Sequence, residues 1–156
     1  ASGRSRIDNP DLYDVLYAAA DPHAAIAETF GQLAVWRPET FVHAYGHPYA
    51  LATIDAPDEL ALFELNDVDA LRSIGVARPT DVVTRDREIT QAWARTIFER
   101  GGFAGARWWS YYNPDWPIVG LWDHGHVELA RPPEILTATG PLVREAAAVI
   151  VRQIAH

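Results

Sequence analysis

Residues Gly3 to Gly31 read GRSRIDNPDLYDVLYAAADPHAAIAETFG. The apolar run Val15-Leu16-Tyr17-Ala18-Ala19 has the length and composition of a buried strand. Asp21-Pro22 then supplies a helix start, with Asp as N-cap and Pro at the first helical position. The helix passes through Ile26, Glu28 and Phe30, and Gly31 is positioned to end it as a left-handed cap. A strand that turns at once into a short helix carrying an acidic residue is the unit on which the rest of the fold is arranged.

Downstream, strands follow at intervals. Trp36 to Pro48 reads as a long loop, and Tyr49 to Asp55 and Glu59 to Leu65 as strands. Asp67 to Ile74 forms a short helix closed by Gly75. Asp86 to Arg100 is a longer helix, with Ile89, Trp93 and Ile97 recurring at helical spacing. Gly105 to Ser110 and Pro117 to Trp122 are strands joined by the turn Asn113-Pro114-Asp115. Two short strands, His126 to Leu129 and Glu134 to Thr137, precede a final amphipathic helix from Pro141 to Ala155, with Leu142, Ala146, Ile150 and Ile154 on one face. Strands outnumber helices without regular alternation. The expected fold is therefore α+β, one domain over 1–156, with a mixed or split sheet and flanking helices.

The chain has 156 residues, enough for one hydrophobic core. No apolar run reaches the roughly 18 residues of a membrane helix. Ala1 to Asp11 is polar and lacks the apolar region of a signal peptide. With no cysteine for a disulfide, a cytoplasmic setting is the expectation. All 13 basic residues are arginines, scattered in a chain of net charge −8, so a nucleic-acid surface is disfavoured. A bound anion would need local arginines or backbone N–H groups to overcome that field.

Several catalytic signatures are missing. There is no glycine-rich phosphate loop and no nucleophile elbow. His43 and His47 are four apart, but Gly46 and Pro48 argue against a helix there, and no metal site is expected. The second telling stretch is Gly101 to Asp123, GGFAGARWWSYYNPDWPIVGLWD. Along a strand Trp108, Ser110 and Tyr112 share one face, and Trp109 and Tyr111 the other.

Taken in order, these two stretches resemble the RES domain. Members carry an Arg in a short loop before an Asn/Asp-Pro pair, then a Leu-Tyr strand, then a helix beginning Asp-Pro and carrying Ala-Glu. Far downstream comes a Ser after an aromatic strand, then an apolar strand ending Leu-Trp-Asp. This chain supplies Arg6 before Asp8-Asn9-Pro10, Tyr17, Glu28 and Ser110. Family members also carry an upstream segment with a further Arg or Tyr; only five residues precede Arg6 here.

The resemblance implies a fold like that of ADP-ribosyltransferases. It also implies a toxin that degrades NAD by hydrolysis or phosphorolysis, held in check by an Xre-type antitoxin, and a tendency to dimerise. NAD is then a substrate rather than a cofactor, and inorganic phosphate a possible co-substrate. Breaking the nicotinamide–ribose bond develops positive charge on the ribose, which a carboxylate at Glu28 would stabilise. Arg6 suits the pyrophosphate, and Tyr17 offers an aromatic face and a hydroxyl to nicotinamide. Ser110 would hydrogen-bond the nicotinamide amide or a ribose hydroxyl, and Trp109 is counted among the ligand-binding residues. Two other activities fit the same residues: transfer of ADP-ribose to a protein, or nucleotide binding without catalysis.

Overall fold

The computed structural model describes residues 3–57 and 59–155. Strand β1 (Leu16–Ala19) leads through Asp21, whose side chain accepts from the His23 N–H, into helix α1 (Pro22–Phe30). This matches the reading of the cap residue and of Pro at the first turn. Gly31, however, is right-handed, with φ −64° and ψ −18°. Its need for glycine is spatial. A Cβ there would lie 2.4 Å from the Ala27 carbonyl oxygen and 2.5 Å from the Tyr112 ring.

The segment read as loop folds against α1. It contains β2 (Val35–Trp36), a 3-10 turn over Pro38–Phe41 and an isolated bridge between Val42 and Pro48. Trp36 and Phe41 are fully buried, and their rings meet Phe30 edge-on or tilted. Packing of these aromatics compensates for the sparse backbone pairing. Strands β3 (Ala50–Asp55) and β4 (Leu62–Glu64) come next, then α2 (Val68–Ser73) and α3 (Arg87–Arg100). On α3 the buried stripe is Thr90, Trp93, Ala94 and Ile97, whereas Ile89 is exposed.

Strands β5 (Gly105–Trp109) and β6 (Pro117–Leu121) complete a four-stranded sheet in the order β1-β6-β5-β4. The β6 pairings are antiparallel and β4–β5 is parallel, so the sheet is mixed. Gly120 sits between Tyr17 and Ala106. A Cβ there would come within 2.3 Å of Ile7 Cδ1, so the bare backbone makes room for the N-terminal loop to press Ile7 into the core.

The two strands expected between His126 and Thr137 are one, β7 (Glu128–Ile135), antiparallel to β3 in a separate ribbon. Pro132 and Pro133 lie where the register slips between Leu51 and Thr53. Proline is tolerated there because β7 is paired on one side only. The final helix α4 (Pro141–Val149) stops short of the expected Ala155, and β8 (Gln153–Ile154) pairs parallel with β2. The Arg152 N–H bonds the Ala147 carbonyl and the Val151 N–H that of Ala148. This is a Schellman closure with Val151 left-handed at φ 54°. The apolar period continues past the helix, but without a glycine at the cap no sequence signal marked the end. Together the elements give the expected α+β class around a core that includes Ile7, Phe30, Trp36, Trp93 and Trp108.

Two stability predictions follow from α1 and α4. Val151 is a β-branched residue in a conformation suited to glycine, and it is exposed. Val151→Gly should raise the unfolding free energy by about 0.5–1 kcal/mol, allowing for the added freedom of the unfolded chain. Thermal melting checks this, and a lower Tm would oppose it. His23 joins α1 to α4, with Nδ1 2.8 Å from Asp21 Oδ1 and Nε2 2.9 Å from Glu145 Oε2. The bond to Glu145, with that to Asp21, holds its pKa above the ordinary value of about 6.5. The contribution is therefore full below that value and is lost as pH rises through the folded pKa. After solvent screening, His23→Gln should cost at most about 1 kcal/mol, or about 2–4 °C in Tm, at acidic pH. The difference should shrink at alkaline pH, as melts across the range will show.

Candidate active site

The loop before β1 is latched down by its own polar groups. The Tyr17 hydroxyl donates to Asp8 Oδ1 at 2.9 Å and accepts from the Ile7 N–H at 3.0 Å. Asp8 Oδ2 accepts from the Ser5 N–H, and Tyr13 donates to the Ile7 carbonyl. Asn9 donates to Tyr13 and to the Gln91 carbonyl, and the Gln91 side chain donates to the carbonyls of Gly3 and Ser5. Asp8 and Asn9 are buried, so these bonds are needed to satisfy them. The result is a rigid loop that aims Arg6 inward. Arg6 Nη1 donates to the carbonyls of Val82 at 3.0 Å and Thr84 at 2.8 Å.

Across the sheet, Ile118 of β6 pairs with Ala19 on one side and with Trp108 on the other. Ser110, two residues beyond Trp108, is thereby carried to α1, where it meets Glu28 in the last turn. Its hydroxyl donates to Glu28 Oε1 at 2.6 Å and accepts from the Tyr112 N–H at 3.0 Å. The Tyr111 N–H donates to the same Glu28 oxygen at 3.1 Å. Glu28 Oε2 makes no hydrogen bond among the described residues. The carboxylate is thus fixed through one of its two oxygens.

Glu28, Arg6 and Tyr17 line one cleft of about 410 Å3, together with Trp108, Arg87 and the exposed Arg4. A second hollow of about 520 Å3, between β1–α1 and β3, shares Tyr17, Ala18, Ala19, Ala25 and Thr29 with it. Burial, with the Arg87 charge adding, lowers the Arg6 pKa against the opposing pull of Glu28. Burial likewise pushes the Tyr17 hydroxyl up, so it stays protonated as a donor to Asp8.

Three of the expected residues therefore line one cleft, and three placements differ from expectation. Ser110 is buried at 2% exposure and its one proton is given to Glu28, so its hydroxyl holds the carboxylate and does not itself line the cleft. Trp109 points to the opposite side of β5, into a separate hollow with Leu65, Pro79 and Pro114; the cleft takes Trp108 instead. Trp108 borders both hollows, whereas Trp109 lines only the second of them. The Tyr17 hydroxyl, expected to meet a ligand, is occupied by the loop, leaving its ring for the cleft.

Arg87 escaped sequence reading. Its signal was its register: positions 87, 90, 94 and 97 fall on one helix face, which places an arginine at the end of a buried stripe. Among the described residues no group of three or more His, Cys, Asp or Glu is placed to hold a metal ion.

Fold and cleft together define a small α+β protein with a ligand-sized hollow faced by one anchored carboxylate and several guanidinium groups. The chain belongs to the RES domain family, whose model matches residues 1–145. Its fold is similar to a chain in the crystal structure of the M. tuberculosis MbcT–MbcA toxin–antitoxin complex, with a TM-score of 0.63 and 21% identity over 92% of this chain and 76% of that one. No curated protein is matched by sequence.

Ser110→Ala should remove the bond to Glu28 and strand the Tyr112 N–H. A hydrogen bond to a charged group contributes roughly 1.5–3 kcal/mol, so the expected loss of unfolding free energy is of that order. Chemical denaturation measures it, and an unchanged midpoint would show that Glu28 is held by other means.

Proposed function

We propose that the cleft binds NAD and that the protein breaks its nicotinamide–ribose bond, acting as the toxin of a toxin–antitoxin pair. The observation that carries this reading is the Glu28 carboxylate. One oxygen is fixed by Ser110 and Tyr111, the other makes no hydrogen bond among the described residues, and Glu28 lines a cleft with Arg6 and Tyr17. As the bond from ribose C1′ to the nicotinamide nitrogen breaks, its electron pair leaves with neutral nicotinamide and the ribose becomes cationic. A preorganised carboxylate stabilises that charge, or holds a ribose hydroxyl, more strongly in the transition state than before it. Water or inorganic phosphate then bonds to C1′; with water, a proton is released and ADP-ribose forms.

Membership of the RES family supports this chemistry. The two adjoining hollows have the volume range of a small-molecule site. Toxin status is supported by the likeness to a chain solved in a toxin–antitoxin complex. An Xre-type antitoxin that covers the cleft would silence the enzyme.

Incubation with NAD, with and without phosphate, followed by chromatography tests the reaction. Nicotinamide plus ADP-ribose means hydrolysis; a phosphorylated ADP-ribose formed only with phosphate means phosphorolysis. Glu28→Gln should lower turnover by about a hundredfold or more while NAD binding changes little. Full turnover by that variant, or none by the parent protein, would overturn the reading.

A further inference from the structure

We propose that Arg87 is a further anion-binding residue of the cleft, adding a second guanidinium beside Arg6 for a phosphate group. Arg87 stands on the first turn of α3 and lines the cleft beside Arg6. Its Nη1 is buried and has no hydrogen-bond partner among the described residues. Neither arginine makes an ion pair with a carboxylate among the described residues. Glu28, the acidic residue in the cleft lining, has one oxygen already committed to Ser110 and Tyr111. Arg6 is meanwhile held in place by the carbonyls of Val82 and Thr84 and cannot swing away to solvent without losing both bonds.

This arrangement is unfavourable in the empty protein. A buried donor without an acceptor carries its full desolvation penalty, and two like charges sharing a partly dry hollow repel. The influence of Arg87 on Arg6 is the second cause, after burial, of the lowered Arg6 pKa. An anion in the cleft removes both costs at once. A phosphate group fits better than a single carboxylate, because it offers more acceptor oxygens and more charge to two guanidinium forks. In a chain of net charge −8, such a group is held only where cations are concentrated.

Two sources share this chemistry: the pyrophosphate bridge of a dinucleotide, and free phosphate attacking the ribose. Naming either as the natural ligand rests on the NAD reading; the anion subsite does not.

The test is calorimetric titration of the parent protein, Arg87→Gln and Arg87→Lys with inorganic phosphate and with ADP-ribose, alongside thermal melts. Arg87→Gln should weaken binding roughly tenfold to a hundredfold, and Arg87→Lys less. In anion-free buffer Arg87→Gln should melt no lower than the parent, and it should lose most of the rise in Tm that phosphate gives. Phosphate that is displaced by ADP-ribose assigns the subsite to the pyrophosphate. Phosphate that still binds beside saturating ADP-ribose, and is lost in Arg87→Gln, assigns it to the free ion. Equal affinities in parent and variant, no binding of either probe by the parent, or a lower anion-free Tm for Arg87→Gln would each overturn the proposal. If phosphate binds through Arg87 but NAD is not cleaved, the subsite stands and the NAD reading fails.

Discussion

The 2.6 Å hydrogen bond from Ser110 to Glu28 joins residues 82 apart in sequence and ties the end of β5 to the last turn of α1. Much around it exists to keep that bond in place. The Tyr112 N–H fills the second side of the Ser110 oxygen, so the hydroxyl proton has one favourable direction. Tyr112 packs so closely on Gly31 that no side chain fits there, which seats the 110–112 loop on the end of α1. The Arg152 guanidinium lies over the Tyr112 ring and donates to the Gly31 carbonyl, bringing the chain after α4 into the same cluster. A carboxylate oxygen fixed by two donors, one of them itself anchored, loses little further freedom when a ligand arrives, which is the condition for electrostatic preorganisation.

Charge is distributed against the average. The chain as a whole is acidic, yet its cleft gathers Arg4, Arg6 and Arg87 around a single carboxylate. The remaining surface pairs are ordinary exposed contacts such as Arg72 with Asp69, which contribute little to stability. Arg6 and Arg87, by contrast, make no ion pair with a carboxylate among the described residues. Long-range repulsion disfavours anions approaching most of the surface, while short-range donors in the cleft reward one that arrives with the right shape.

Local signals were legible where one residue decides a conformation. Asp21-Pro22 fixed the start of α1, and Asp67 and Asp86 the starts of α2 and α3. The ends were harder, because what ends a helix here is tertiary. Val151 closes α4 in a conformation its side chain disfavours, so that Gln153 and Ile154 can pair with β2. Two strands were expected on either side of Pro132-Pro133, yet one strand runs through them, its register slipping at that point. In the site, family resemblance supplied Arg6, Tyr17, Glu28 and Ser110. Roles were less visible than identities. That Ser110 faces Glu28 instead of the cleft, and that Trp108 replaces Trp109, depends on which side of β5 meets α1, and pleat alternation alone leaves that choice open.

The spacing of the site has a geometric cause. Arg6, Tyr17 and Glu28 are separated by equal steps of eleven residues within one loop–strand–helix unit. The first step is a loop doubled back on its strand, since the Tyr17 hydroxyl holds Ile7 and Asp8, the neighbours of Arg6. The second is a strand end, a tight cap at Asp21 and nearly two helical turns, which carry Glu28 back over the sheet. Local sequence can therefore build most of the cleft. Ser110 must arrive through two strand pairings, β1 with β6 and β6 with β5, each adding about 4.8 Å across the sheet. A register slip of one residue in either pairing would turn Ser110 to the face of Trp109 and leave Glu28 without its anchor. Gly120, whose hydrogen in place of a side chain admits Ile7 beneath the Arg6 loop, sits in that same shared strand. The middle strand β6 contributes little to the lining of the cleft, yet its register sets where both halves of the site meet.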